Sequence, residues 1–370
     1  MKRKIVIEVS LTYLPNLGGL ETHLNDLITI LSKYYDVVLL TMQPFGNKKL
    51  PFIEKEQNVT ILRFPRFSFL PSYIQQYANY AIMPLYVTLW FLINKKEYKK
   101  EYKKVVFHLN GLVLSPLCAI LKMFRMKCIF SDHFTYRGTN KLINTLIKWG
   151  LAKADCILTL SYLEKINLIK IGVPREKIKK FTHWVDLKTF KPISKKVARE
   201  KLRLDERKFI VLFVGRLVKV KGIDIILELA SMMSDIEFYI AGDGPLKEKV
   251  EKATIKNKNL HYIGKISVDL LSIWYNAADL LIIPSIYDEG FGRVIIEALA
   301  CGTPVVGSKR GGIPEAITPQ VGKVVEPTPQ EFAKAIREII ALNYSKTELR
   351  EYAVKRFGIQ NAETILKCLF

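Results

Sequence analysis

Short apolar strands alternate with helical segments along most of the chain, and this alternation limits the possible fold more than any other feature. Helical periodicity fills the intervals between strands; Leu20, Leu24 and Leu27, for example, share one face. Near-continuous apolar strands that alternate with helices build parallel sheets covered on both faces, so we expect an α/β fold. The predicted strands are 4–10, 37–41, 59–64, 105–110, 128–131 and 156–161, then 209–215, 236–242, 260–264, 280–285 and 304–308.

A Lys- and Pro-rich segment, 172–196, lacks a long apolar period and separates the two runs of strands. A length of 370 residues also suits two domains. We predict two doubly wound, Rossmann-like domains that face each other across a cleft. Their predicted boundaries are 1–185 for the first domain, 186–204 for a linker, 205–352 for the second domain and 353–370 for a C-terminal helix that packs back on the first.

The apolar segments of the first domain do not indicate export or membrane insertion. Glu8 interrupts the first apolar run, which favours a strand over a signal peptide. Residues 78–94 are barely long enough to cross a bilayer and contain Asn79 and Pro84, so we interpret them as a core or interfacial helix. The odd number of cysteines, five without a CxxC pair, predicts small buried side chains in a reducing compartment.

The net charge of +22 is unevenly distributed. Residues 1–190 contain 29 Lys or Arg and 13 Asp or Glu, whereas residues 191–370 contain 28 and 22. The first half therefore has an excess of +16 and is expected to contact something anionic.

Residues 284–315 place two glutamates around a Gly-containing loop. Glu289 precedes Gly290, Phe291 and Gly292, and Glu297 lies eight positions further along, inside a predicted helix. A loop after a parallel strand is where open α/β sheets bind ligands. Carboxylates accept hydrogen bonds from several hydroxyls, so a sugar or a ribose is a suitable ligand. Alone, Glu297 could equally be a solvent-facing helical residue.

Two other loops follow strands of the second half. Arg216 and Lys221 come directly after one strand, where a cation pair could bind a diphosphate; two solvated surface cations are the alternative. Gly242 and Gly244 follow the next strand and would let the backbone approach a ligand, although Gly-rich turns are common in this fold class.

In the first half, Gly18 and Gly19 precede a helix whose first turn contains Glu21. Their amides could contact a diphosphate, whereas Glu21 could simply favour the helix dipole. His133 follows Asp132 at the end of a strand, where a cleft-lining polar residue is expected.

Several motifs are missing from the sequence. There is no D-x-D, no P-loop, no zinc-ligand spacing, and no G-x-G-x-x-G after the first strand. We therefore expect no metal and no dinucleotide cofactor, with any diphosphate met by cations.

Together these motifs resemble the retaining GT-B glycosyltransferases of glycosyltransferase family 4, glycosyl transferases group 1. The resemblance runs nearly end to end, through LGGLETHL, SDH, VDLKTF, VGRLVKVKG, AGDGPL and the two glutamates followed by GTPVVGSKRGGIPE. It implies a hexosyltransferase that moves a sugar from a UDP-, GDP- or ADP-sugar to an acceptor hydroxyl with retention and without a metal. It also implies that the first domain binds the acceptor and the second the nucleotide sugar.

The resemblance assigns roles by matching position. Arg216 and Lys221 would hold the diphosphate, Glu297 the ribose and Glu289 the transferred sugar. His133 would line the sugar pocket on its reacting side. The implied catalytic residues are His133, Glu289, Arg216 and Lys221, and the implied donor-binding residues are Gly18, Gly19, Arg216, Lys221, Gly242, Gly244, Glu289, Gly290, Phe291, Gly292 and Glu297.

One segment departs from the family pattern. Thr182, His183 and Trp184 replace the usual Pro-Asn-Gly turn, so the geometry there is expected to differ. Residues 63–104 mix aromatics, aliphatics and lysines, which favours a cytoplasmic enzyme peripheral to the inner face of the membrane, acting on a lipid-linked or cell-surface glycan. A soluble protein with an apolar core helix, a GT-B sugar-nucleotide epimerase and a basic polyanion-binding protein stay open as alternatives; scattered Lys and Arg argue against nucleic acid.

Overall fold

The computed structural model describes residues 3–16, 18–45, 49–67, 72–133, 140–342 and 344–370, without the side chains of residues 72–74, 76 and 77. Residues 68–71 of the aromatic segment 63–104 thus lie outside the described residues. The chain divides into two compact units, one of residues up to Phe181 together with Ala362–Phe370, the other of Thr182–Asn361.

The described part of the first unit contains an eight-stranded sheet in the order β3-β4-β2-β1-β5-β6-β7-β8. All neighbours are parallel except the β3–β4 pair at one edge. Its strands are β1 (Lys4–Ser10), β2 (Asp36–Met42), β3 (Ile53–Glu56), β4 (Val59–Phe64), β5 (Lys104–Asn110), β6 (Lys127–Ser131), β7 (Cys156–Thr159) and β8 (Ile178–Lys180). Its helices are α1 (Gly19–Leu31), α2 (Ser72–Glu101), α3 (Ser115–Met123), α4 (Lys141–Leu151), α5 (Tyr162–Lys170) and α14 (Ala362–Leu369).

The described part of the second unit contains a six-stranded parallel sheet in the order β11-β10-β9-β12-β13-β14. This is the 3-2-1-4-5-6 order of a Rossmann fold, whose switch point lies between its first and fourth strands. Its strands are β9 (Phe209–Val214), β10 (Ile236–Ala241), β11 (Leu260–Gly264), β12 (Leu280–Ile283), β13 (Val305–Ser308) and β14 (Gly322–Val325). Its helices are α6 (Lys195–Leu202), α7 (Ile223–Met232), α8 (Lys247–Lys256), α9 (Val268–Ala277), α10 (Arg293–Ala300), α11 (Ile313–Ala316), α12 (Pro329–Ala341) and α13 (Lys346–Phe357).

The predicted α/β fold is confirmed, and each unit has its own apolar core, as expected for strands covered by helices on both faces. Three short edge strands, β3, β8 and β14, escaped prediction, because edge strands need little apolar character. The segment 172–196 is not a uniform linker: it contributes β8 to the first sheet and the start of α6 to the second unit.

Residues 186–204, predicted as a linker, belong to the second unit. Arg199 in α6 fixes them there, since its guanidinium donates to the Asp279 carboxylate at 2.6 Å. Of the predicted C-terminal helix, only Ala362–Phe370 joins the first unit.

The cysteine prediction is wrong for one pair. Cys156 in β7 and Cys368 in α14 form a disulfide within the first unit, although 212 positions separate them in sequence. Cys118, Cys128 and Cys301 are free and buried, as predicted. Sequence spacing could not reveal the pairing because only the packing of α14 brings the two cysteines together.

The apolar segment 78–94 lies inside α2, which continues through Pro84. Met83, Val87 and Phe91, spaced four residues apart, are buried in the core of the first unit. Among the helices of the described residues, none combines the length and the apolar character needed to cross a bilayer.

Candidate functional site

Main-chain hydrogen bonds tie together three loops at the carboxyl edge of the second sheet. In the loop after β9, the Leu217 amide donates to the Asp243 carbonyl of the loop after β10 at 2.9 Å. The Val220 carbonyl of the same loop accepts from the Ile286 amide of the loop after β12 at 2.9 Å. Leu217 is itself fully buried. The loops after β9, β10 and β12 are thereby fixed to each other at the switch point, where this fold binds its ligands.

Lys221 and Glu289, predicted to serve neighbouring parts of one ligand, are in direct contact. The Lys221 ammonium lies 2.7 Å from Glu289 Oε1, and the side chains are 22% and 7% exposed. Burial disfavours the Lys221 charge, but the Glu289 carboxylate and Tyr287 outweigh it, and the pKa of Lys221 is raised. Ser285 also donates its hydroxyl to Glu289 Oε1. The site thus holds a fixed cation beside a fixed carboxylate.

Arg216 occupies the outer side of the same loop. Its side chain is exposed, and within the described residues it has no ion-pair partner. Its charge nevertheless acts on Tyr287 in the site. Burial, and then the Glu289 charge, raise the pKa of Tyr287, and the Arg216 charge opposes this increase. A guanidinium placed in this way can bind an anionic ligand bidentately.

Gly242 and Gly244 form the turn after β10. Their φ angles are +144° and +154°, where side chains are strained. A Cβ at Gly244 would lie 2.7 Å from the Leu217 carbonyl oxygen, and one at Gly242 would collide with the Gly215 carbonyl. Glycine is therefore required here for close packing against the loop after β9.

The backbone of the Glu289 loop is anchored from the loop after β13. Asp288 accepts from the Gly311 amide at 3.0 Å, and the Glu289 carbonyl accepts from the Gly312 amide at 2.7 Å. Gly290 and Gly292 flank Phe291, whose ring is buried against Phe357 with the ring centroids 5.7 Å apart. The Phe291 side chain therefore supports the loop, and only its backbone can face a ligand.

Glu297 points inward from α10 and is not a solvent-facing residue. Its carboxylate accepts a hydrogen bond of 2.9 Å from the hydroxyl of Tyr275, which is fully buried. Burial, and then the Glu297 charge, raise the pKa of Tyr275 well above its usual value. Because Tyr275 stays protonated and donates to one oxygen, it orients Glu297.

In the first unit, Gly18 precedes α1 and its carbonyl accepts from the Thr22 amide and hydroxyl. Gly19 is the first residue of α1. A Cβ at Gly18 would lie 2.5 Å from Glu21 Oε2. The Glu21 carboxylate therefore folds back over the helix start, which is the placement expected for a residue that favours the dipole.

His133 lies at the end of a buried polar chain that crosses β1, β5 and the segment after β6. Asn110 donates to Glu8 Oε2 at 2.9 Å, and its Oδ1 lies 3.1 Å from His133 Nε2. His108 completes the chain, contacting Glu8 Oε1 at 2.9 Å and the Ser131 hydroxyl at 2.7 Å. Since a carboxylate only accepts, Asn110 Oδ1 must accept from His133 Nε2–H.

Burial, and then the neighbouring His108, lower the pKa of His133 to about 3, so the ring is neutral at pH 7. With hydrogen on Nε2, its acceptor atom is Nδ1. The ring packs near His23 of α1, with ring centroids 5.1 Å apart. A neutral, oriented imidazole can accept a hydrogen bond from a sugar hydroxyl.

Asp132, next to His133, belongs to a second buried pair. Burial, and then the Asp132 carboxylate, raise the pKa of Glu164 well above its usual value. Glu164 also accepts from the Leu160 amide at 2.9 Å. Burial and the Asp132 charge thus both favour the protonated form of Glu164.

Several partners of the candidate residues were not predicted from the sequence: Glu8, His23, His108, Asn110, Tyr275, Ser285 and Tyr287. Glu8, His108 and Asn110 were detectable, because each is a polar residue inside an apolar strand. Tyr275 was not, since aromatic residues on helices are usually core.

The segment that departs from the family pattern is buried. His183 and Trp184 are 4% and 3% exposed, and the His183 ring lies 5.6 Å from that of Phe291. His183 thus packs against the Glu289 loop through Phe291.

Within the described residues, no group of three or more His, Cys, Asp or Glu side chains is arranged to hold a metal ion.

Solved structures with two Rossmann-like domains superpose on nearly the whole chain. Sucrose-phosphate synthase from Thermosynechococcus elongatus gives a TM-score of 0.82 at 22% identity, covering 99% of this chain and 98% of that one. The Anabaena protein HepE, in complex with UDP, gives 0.76 at 18% identity and covers 99% of both chains. The fold is therefore that of the GT-B class.

Family models identify both halves. The model for Glycosyltransferase Family 4 matches residues 17–189, and the model for glycosyl transferases group 1 matches residues 194–356. The chain belongs to this family of glycosyltransferases.

Named relatives share parts of the sequence. The D-inositol 3-phosphate glycosyltransferase of a Mycobacterium species (strain KMS) is 35% identical over 45% of this chain and 39% of its own length. A relative from Arabidopsis thaliana, one chain of its phosphatidylinositol N-acetylglucosaminyltransferase, is 24% identical over 91% of this chain and 74% of its own length. The chain thus spans well under two thirds of the first of these relatives.

Proposed function

We propose that this protein is a retaining, metal-independent glycosyltransferase that moves a hexose from a nucleotide-sugar donor to an acceptor hydroxyl. The observation that carries the proposal is the Lys221–Glu289 pair, 2.7 Å apart beside exposed Arg216 at the switch point of a Rossmann sheet. A ligand that bears a diphosphate next to hydroxyls needs cations and a carboxylate at such a distance.

The roles are those that the resemblance assigns, and the Lys221–Glu289 contact is compatible with them. The diphosphate binds Arg216 and Lys221, the hydroxyls of the transferred sugar bind Glu289, and the ribose diol binds Glu297. As the glycosidic bond breaks, negative charge grows on the departing diphosphate, and preorganised cations stabilise it without reorganisation. This is the task that a divalent metal performs in other sites, so none is required here.

The resemblance assigns two further roles to residues of the first unit. The amides of Gly18 and Gly19, at the start of α1, would serve a diphosphate, and neutral His133 would accept from a hydroxyl of the transferred sugar. Gly242, Gly244 and the backbone of Gly290–Gly292 shape the donor site.

The acceptor is an anionic, lipid-linked or cell-surface molecule at the inner face of the membrane. Two relatives are named for a phosphorylated inositol or its lipid. The excess of +16 in residues 1–190 favours an acceptor of this charge.

The donor is identified by thermal-shift assays with UDP, GDP and ADP, because a ligand that binds only the folded state raises the unfolding temperature. HepE and starch synthase IV were solved with UDP and ADP respectively. Glu297→Gln is expected to weaken nucleotide binding about tenfold, since it removes a charged hydrogen-bond acceptor. Full stabilisation of Glu297→Gln by the nucleotide contradicts the ribose role.

Transfer is then tested with the identified donor in EDTA, and the anomeric configuration of the product is determined by NMR. Activity in EDTA with retained configuration supports the proposal. An inverted product, or dependence on added metal, refutes the corresponding part. Conversion of the donor to an epimer without acceptor indicates an epimerase instead.

A further inference from the structure

Helix α4 presents three distinct faces. Ile147, Gly150 and Leu151 are buried against the first unit. A second face, called here the apolar strip, consists of Leu142, Leu146 and Trp149, which are 71%, 48% and 48% exposed, and Ile143, 45% exposed, flanks it in the first turn. Three large apolar side chains on one exposed helix face are unusual on a surface that meets only water.

The third face of α4 lines a basic pocket of about 440 Å³ shared with α5. Its lining side chains come from one face of α4, at intervals of three and four residues, and from the end of α5. They are Lys141, Asn144, Thr145, Lys148, Asn167, Lys170 and Ile171. We call this the α4–α5 pocket.

The lysines of the α4–α5 pocket carry charge that the protein does not neutralise. Within the described residues, no carboxylate lies within ion-pair distance of Lys141, Lys148 or Lys170. Three ammonium groups beside a Thr hydroxyl and Asn amides form a set of donors suited to a phosphate. The pocket therefore selects an anion.

We propose that the α4–α5 pocket binds the phosphate headgroup of an anionic phospholipid while the apolar strip inserts into the outer part of the same leaflet. Thr145 and Trp149 lie one helical turn apart, so the pocket and the strip adjoin. Apolar and aromatic side chains next to lysines are the composition that holds a helix at a membrane interface. This inference deepens the membrane part of the proposed function and rests on it.

Charge complementarity favours a lipid surface over a second copy of the chain. A symmetric dimer through the apolar strip would bring two sets of pocket lysines together, which is unfavourable. Exposed Tyr162 and Ile166 on α5, 60% and 48% exposed, extend the apolar surface beyond the pocket.

The test is flotation of the full chain with vesicles of phosphatidylcholine, with and without one third phosphatidylglycerol, at low salt. The triple variant Lys141→Gln, Lys148→Gln, Lys170→Gln is expected to lose on the order of 100-fold in partitioning to anionic vesicles. The matched control neutralises three exposed lysines of the second unit, Lys201, Lys256 and Lys355, and is expected to lose much less.

Fluorescence tests insertion directly. The emission of Trp149 is expected to shift to the blue on binding, and Trp149→Phe should abolish the shift while binding persists. Leu146→Ser should weaken binding to both kinds of vesicle. These readouts do not involve transfer, so they stay informative if the proposed donor chemistry fails, and a cooperative thermal unfolding transition at the wild-type temperature confirms that the triple variant is folded.

Any one of five results overturns the proposal: equal loss by the control triple, absence of the blue shift, binding of inorganic phosphate without binding of vesicles, dimerisation that Leu146→Ser abolishes, or preferential binding of RNA that competes with vesicles.

Discussion

Replacing Lys221 by Met isolates the energetic role of the cation in the candidate site. The substitution keeps most of the side-chain volume but removes the charge that lies 2.7 Å from Glu289 Oε1. Glu289 is then left 7% exposed, with the Ser285 hydroxyl as its remaining side-chain donor among the described contacts. An uncompensated carboxylate in that position should destabilise the second unit.

The magnitude follows from the burial of the two partners. Removing one partner of a buried ion pair costs about 3–5 kcal/mol. The Lys221 side chain is 22% exposed, so water can reach part of the site, and we expect the lower end, about 3 kcal/mol. Glu289→Gln leaves a cation that water can reach, and should cost about 1–2 kcal/mol. The double variant should cost less than the sum, with a coupling of about 1–2 kcal/mol.

The assay is urea unfolding of the wild type, the two single variants and the double variant, with fluorescence of the second unit as probe. A loss of about 3 kcal/mol moves the midpoint by roughly 1 M urea. Transfer by Lys221→Met should fall about 10²–10³-fold, as when one donor to a developing anion is removed. Lys219→Met, an exposed lysine of the same loop, is the matched control and should change neither quantity.

Two results would refute this account of the pair. A coupling indistinguishable from zero would mean that Lys221 and Glu289 do not interact in solution. Destabilisation of Lys221→Met without loss of transfer would mean that the pair is structural and that the diphosphate binds elsewhere.

Two further predictions concern the first unit. Asn110→Leu removes the acceptor of His133 Nε2–H, so transfer should fall at least tenfold with unchanged nucleotide affinity. The ¹⁵N spectra should show that the Nε2–H tautomer of His133 is lost, and an unchanged tautomer would contradict the positioning role of Asn110. Glu164→Gln should raise the unfolding temperature at about pH 8 but hardly at about pH 4. Because the folded-state pKa of Glu164 is raised, the stability that its protonated carboxyl contributes is fully present below the unfolded-state pKa and is lost as the pH rises through the folded-state pKa. Exposed Glu176→Gln should show no such dependence, and a pH-independent effect at Glu164 would be contrary to this sign.

Elements that depend on periodicity were predictable. The strands around Ile7 and Leu212 and the amphipathic helix at Leu24 lie where their apolar patterns place them, because those patterns record burial on one or both faces. The short edge strands β3, β8 and β14 and the Cys156–Cys368 disulfide were not predictable in this way, since each depends on a neighbour that is distant in sequence.

The sequence by itself determined the α/β class, the loops that carry Arg216, Lys221, Glu289 and Glu297, and the family, because each is encoded in local patterns and motifs. Only the tertiary structure decided that Lys221 and Glu289 form one ion pair, since their contact joins two different loops. In the same way, packing between strands far apart in the chain decided the orientation of His133. Contacts of this kind depend on sheet order and burial, which no local pattern specifies.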